Sequence, residues 1–118
     1  MIKKLLGVVA AGALVVAGLS GCAASSTTSE GGLIGVSMPT QSSTRWISDG
    51  NSIKEALEAD GYTVDLQYAE DDIPTQVSQL EAMLTKGAKA LIIAAIDGTQ
   101  LTDVLQAAKD ASVPVISY

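Results

Sequence analysis

The seven residues Ala90-Leu91-Ile92-Ile93-Ala94-Ala95-Ile96 are apolar without a break, and they limit the fold more than any other stretch of this chain. A run of this length is short for a helix and shows no polar side to water. It reads as a strand covered on both faces, the situation of a parallel sheet lying between helices. Leu33-Ile34-Gly35-Val36-Ser37-Met38, stopped by Pro39, has the same character. Thr63 to Ala69 instead alternates with period two, with Val64, Leu66 and Tyr68 on one face, which predicts a strand near a sheet edge. Pro114-Val115-Ile116-Ser117-Tyr118 begins a fourth strand.

Three amphipathic stretches separate these strands. Trp46, Gly50, Ile53 and Leu57 recur at steps of four, three and four, one face of a helix that Gly61 ends. The polar residues 40–44 before it offer helix caps. Ile73, Val77, Leu80 and Leu84 repeat the spacing. Asp71 and Asp72 stand at the positive end of that helix, Pro74 in its first turn and Gly87 at its close. Leu101, Val104, Leu105 and Ala108 form the third stripe, and Asp97 and Gln100 have capping-box spacing.

The order is β-α-β-α-β-α-β, with strands starting near 33, 63, 90 and 114. Those intervals suit successive right-handed βαβ units. The predicted fold class is α/β, a three-layer doubly wound parallel sheet. Ligands in such sheets bind outside the carboxyl ends of the strands. Tyr118 lies at such an end with no helix after it, so residues 33–118 are expected to be part of a longer unit.

The first 21 residues have a different character. Lys3 and Lys4 precede an unbroken run of apolar residues and glycine from Leu5 to Leu19. That run falls short of the roughly 20 residues needed to span a bilayer, and a basic start before it describes a secretory signal peptide. Leu19-Ser20-Gly21-Cys22 resembles the bacterial lipobox, whose cysteine is diacylated and becomes the mature amino terminus. Cys22 is the only cysteine, so no intrachain disulfide or cysteine-only metal cluster can form. The expectation is a lipid anchor on Cys22 at the extracytoplasmic face of the cell membrane. Residues 22–32 then form a small, polar, flexible tether.

Composition removes several function classes. With 13 acidic and 7 basic residues the formal charge is −6, which argues against nucleic acid as a partner. Histidine is absent, so this chain carries neither a Ser-His-Asp triad nor an HExxH metal site. No GxGxxG follows the first strand, and residues 39–44 hold no acid that would pair with Asp97 around magnesium. Asp71, Asp72 and Asp97 are read as caps. No cofactor, metal or catalytic residue is predicted.

Four segments carry a resemblance: IGVSMPT at 34–40, Arg45-Trp46, QVSQLEAMLTKGAKALIIAAIDG at 76–98, and VPVISY at 113–118. Together they resemble the N-terminal lobe of bacterial periplasmic sugar-binding proteins, the receptors of ABC importers, in the xylose and multiple-sugar branch. The resemblance covers Leu33 to Tyr118. It implies a two-lobed receptor that closes on a monosaccharide, an aldose such as xylose or glucose, and delivers it to a membrane permease without a reaction. In members with the VISY ending an Asp-Arg pair follows and binds sugar hydroxyls; it would begin just after Tyr118.

Arg45 and Trp46 match the family's first-helix position and are the candidate sugar-binding residues. An aldopyranose presents C–H faces that rest on an indole and hydroxyls that suit the fixed donors of a guanidinium. Trp46 also fits the apolar stripe of its helix, so a place in the core explains it too. The other function class is an exported α/β lipoprotein enzyme whose catalytic part lies beyond Tyr118.

Overall fold

The structure, a computed structural model, describes residues 30–118. The expected signal peptide, Cys22 and most of the tether lie outside the described residues. Strand β1 spans Leu33–Met38, helix α1 Thr44–Ala59, β2 Thr63–Tyr68, α2 Ile73–Thr85, β3 Ala90–Ile93, α3 Thr102–Asp110 and β4 Val115–Ser117. A 3-10 turn at Gly98–Leu101 leads into α3. The four strands form one parallel sheet in the order β2-β1-β3-β4. The expected α/β architecture is therefore present, and the alternating strand is an edge strand.

Period-two alternation sends each strand's side chains to two helix layers. On one face Leu91 and Ile93 of β3 meet Leu80 and Met83 of α2, and Leu101, Val104 and Ala108 from the turn and α3. On the other, Ile34, Val36 and Met38 of β1 and Val64 of β2 meet Trp46, Ile53 and Leu57 of α1. Helix α1 thus covers one side alone, and α2 and α3 share the opposite side. Gly61 and Gly87 take left-handed φ angles of 89° and 84° just past the ends of α1 and α2, as their place after the apolar stripes requires.

Local chemistry adjusts the expected boundaries. Strand β3 ends at Ile93, three residues earlier than the apolar run. The Ala94 N–H still donates to the Ser37 carbonyl, at 2.9 Å. Beyond it, the Ala94 carbonyl and the Ile96 N–H both turn to the side chain of Gln76. Asp97 caps the following turn by accepting from the Thr99 N–H at 2.9 Å, while Gln100 joins through its backbone N–H to the Asp97 carbonyl. Asp72 caps α2 by accepting from the Thr75 N–H at 2.8 Å.

Asp71 has a different role. It sits in the left-handed region with Glu70, at φ 58° and 52°, and its N–H donates to the Pro39 carbonyl. Ser43 occupies the cap position of α1 but makes no side-chain cap bond; just before it, the Thr40 hydroxyl donates to Ser42 Oγ and accepts from the Ser42 N–H. At the amino end, the Gly31 N–H donates to the Gly61 carbonyl, and the Gly32 carbonyl accepts from Thr63.

Candidate functional site

The carboxyl ends of all four strands lie along one edge of the sheet. Residues 39–43 leave β1, residues 69–72 leave β2, residues 94–97 leave β3, and Tyr118 follows β4. After β1 the chain turns to the α1 face, and after β3 to the α3 face. Neighbouring strands whose connections part to opposite faces open a crevice between them, the usual ligand position of a doubly wound sheet.

Helix α1 begins at this edge, which brings Arg45 and Trp46 into its first turn. Trp46 is half-buried against the cluster formed by Ile34, Val36 and Met38. Its ring meets the ring of Tyr118 edge-on, with centroids 6.4 Å apart and planes at 68°. Offset and edge-on arrangements of this kind are the favoured aromatic contacts. The Arg45 guanidinium carbon lies 4.8 Å from the indole centroid, within cation–π range. Its Nε donates to Asp49 Oδ2 at a long 3.4 Å, and the arginine side chain remains 69% exposed. An exposed pair this long contributes little to stability.

Asp49 also faces Tyr118. The hydrogen bond between the Tyr118 hydroxyl and the Asp49 carboxylate holds the phenol above its ordinary pKa. A charged acceptor favours the protonated phenol over the phenolate. One helical turn on, α1 comes close to β2 at Gly50. A Cβ there would stand 2.7 Å from Tyr68 Oη and 3.1 Å from Leu66 Cδ1, so glycine lets α1 lie this close without displacing those side chains. Tyr68 Oη also points to the Trp46 carbonyl, at 3.5 Å.

Arg45 and Trp46 therefore stand together at the crevice edge, and the structure adds Asp49 and Tyr118 to them. The two expectations for Trp46 are compatible, since one side of the ring packs on the core and another meets Tyr118 at the rim. Asp97 lies across the crevice. Hydrogen bonds from the Thr99 side chain and N–H hold its carboxyl below the usual range, which fits a cap. Sequence reasoning missed Gln76, a fully buried amide in α2, because hydrophobic periodicity has no signal for a polar residue inside.

The family profile described as "Periplasmic binding protein domain" matches residues 34–118. This chain belongs to the periplasmic binding protein family. The multiple sugar-binding periplasmic receptor ChvE of Rhizobium radiobacter is 51% identical over 116 residues, covering 98% of this chain and 32% of the receptor. The multiple sugar-binding periplasmic protein SbpA of Azospirillum brasilense is 61% identical over 85 residues, 72% of this chain and 24% of that protein. This periplasmic binding protein chain thus spans a third or less of the length of these curated relatives.

Among solved structures, an ABC transporter solute-binding protein from Clostridium phytofermentans with bound β-D-glucose superposes with a TM-score of 0.69 at 48% identity. The match covers 70% of this chain and 26% of that one. A carbohydrate transporter solute-binding protein from Chloroflexus aurantiacus in complex with D-glucose gives 0.67 at 38% identity, covering 74% and 26%. The relatives with these folds are transport receptors, which weighs against the enzyme alternative for this periplasmic binding protein domain.

Proposed function

We propose that this chain supplies the amino-terminal, sugar-holding lobe of an extracytoplasmic receptor that captures an aldose such as glucose or xylose and passes it to an ABC importer permease. The observation that carries this reading is the Arg45–Trp46 pair at the carboxyl edge, joined there by Asp49 and Tyr118. A half-buried indole offers a flat apolar surface to the C–H face of a pyranose, and the neighbouring guanidinium offers donors to its hydroxyl rim. Nothing in this arrangement calls for a reaction; the work is recognition and release.

The remaining contacts to the sugar come from a second lobe in a longer polypeptide. The relatives' lengths support this, as does β4, where Ile116 and Val115 remain 54% and 38% exposed. A sugar that touches both lobes fits the closed state better than the open one, and that differential affinity drives closure. The Leu19-Ser20-Gly21-Cys22 motif supports a lipid on Cys22 that holds the receptor near its permease, with residues 22–32 as the tether.

Calorimetric titration of the mature polypeptide with a panel of aldoses tests the reading. Saturable one-site binding is expected. Trp46→Ala is expected to weaken it about 30-fold or more, the scale of an aromatic hot spot, and Arg45→Ala about tenfold. A folded protein that binds none of the aldoses overturns the assignment. Loss of acyl labelling in Cys22→Ser, with labelling of the wild type, tests the anchor.

A further inference from the structure

We propose that Gln76 is a positioning residue that fixes the spacing of the two rims of the crevice, an inference that rests on the receptor reading above. Gln76 lies in the first turns of α2 and is fully buried. Its amide nitrogen donates to Ser37 Oγ at 3.0 Å and to the Ala94 carbonyl at 3.1 Å. Its Oε1 accepts from the Ile96 N–H at 3.0 Å. An amide has two N–H donors and one acceptor oxygen, and all three functions are in use.

The partners lie on the two sides of the switch point. Ser37 is the penultimate residue of β1, just before the loop that leads to Arg45 and Trp46. Ala94 and Ile96 belong to the turn after β3, the opposite rim. Between these strands the ladder ends with the Ala94 N–H bonded to the Ser37 carbonyl. Past that point, the Gln76 side chain joins the β1 end to the turn.

Its position makes the polar choice informative. Leu80 and Met83 follow Gln76 on the buried side of α2, and both enter the apolar cluster. A buried amide is tolerated because each of its groups is bonded, and removing it would leave Ser37 Oγ and the Ala94 carbonyl buried without this partner. A rim spacing set before the sugar arrives reduces the ordering that binding must supply.

The test compares wild type, Gln76→Met and Gln76→Glu in the mature polypeptide, by aldose titration and by amide hydrogen exchange. Circular dichroism first establishes that each is folded. Gln76→Met is expected to weaken aldose binding about tenfold or more, because Ser37 Oγ and the Ala94 carbonyl, both buried, and the part-buried Ile96 N–H lose their partner. Gln76→Glu keeps the acceptor for Ile96 but loses the donors to Ser37 and Ala94 and sets a buried carboxylate against the Ala94 carbonyl, so its loss is expected to be at least as large. Exchange is expected to quicken together in residues 37–41 and 94–98 and to stay unchanged in β2.

A residue that only stabilises the fold would speed exchange everywhere and leave the affinity of the folded protein alone. Folded Gln76→Met with wild-type affinity therefore overturns the proposal. Should that variant not fold, Ser37→Ala removes only the arm to β1 and is expected to weaken binding a few-fold; unchanged affinity there overturns the proposal equally. Wild type that binds no aldose overturns the receptor reading and this proposal with it, whereas wild type that binds alongside insensitive variants overturns this proposal alone.

Discussion

The two faces of the sheet are packed to different degrees. On the α2/α3 face, Leu80, Met83, Leu91, Leu101 and Ala108 each retain 1% exposure or less. On the α1 face, one helix must cover the sheet, and Trp46, Ile53, Leu57, Leu66, Tyr68 and Ile92 are only partly buried around the β1 core. Ile116 of β4, which pairs with Ile92 and so points to this same face, is mostly exposed. The α2/α3 face is the more closed, with Val115 at its β4 edge still 38% exposed, and forms the scaffold; the proposed site of Arg45, Trp46 and Tyr118 lies on the more open face. Sites that must admit a ligand come from the less tightly packed part of a fold.

The largest effect should come from breaking the closed face. Leu80→Ala removes a fully buried side chain from the α2/α3 cluster and is expected to cost about 3 kcal/mol in urea denaturation. The fraction that stays folded should bind aldose within about twofold of wild type. Trp46→Ala should show the reverse balance, with the larger loss in affinity. If Leu80→Ala changed affinity as much as Trp46→Ala does, the division into scaffold and site would fail.

A smaller effect sharpens the reading of β4. Where Ile116 is exposed as described here, Ile116→Thr should change stability by no more than about 0.5 kcal/mol. In a polypeptide whose further elements cover this face, the same change removes buried apolar surface and should cost about 1–2 kcal/mol. Denaturation midpoints of the 118-residue chain and of any longer natural form distinguish the two. Equal, small effects in both would mean that the open face stays open.

Most of the layer architecture was legible because hydrophobic periodicity reports burial directly. The unbroken run around Leu91 marked a strand covered on both sides, and the alternation at Val64, Leu66 and Tyr68 marked an edge. The same signal failed where burial is polar. Residues 94–96 are as apolar as 90–93, yet they leave the sheet because Gln76 takes their backbone groups. The stripe read in α2 was Ile73, Val77, Leu80 and Leu84, while the fully buried side chains are Gln76, Leu80 and Met83. At the proposed site, Arg45 and Trp46 are singled out by the family resemblance together with their place after the first strand. Asp49 and Tyr118 are not, because their meeting depends on how α1 lies against the end of β4.

The smallest effect separates two caps that look alike. Asp72 and Asp97 are both held below the usual carboxylate range, each by a hydrogen bond from a threonine side chain first and from that threonine's N–H second. A carboxylate with a lowered folded pKa contributes stability at pH values above its unfolded pKa, about 3.9, and loses that contribution as the pH falls through the lower folded value. Asn caps a helix about as well as Asp but does not titrate in this range. The stability difference between wild type and Asp72→Asn should therefore be level from pH 7 to about 5 and drift as the pH falls below about 4. Asp72 opens α2, the helix that carries Leu80 and Met83, so this drift should appear in the global thermal midpoint. Asp97 opens only a four-residue turn at the crevice rim. Asp97→Asn should show a midpoint drift of the same sign, because its carboxyl is also lowered in the folded chain, while amide exchange changes only around Gly98–Leu101. Exchange that also quickens along α2 in Asp97→Asn would show that the rim turn is as much a part of the scaffold as α2, and that the two regions are not separate.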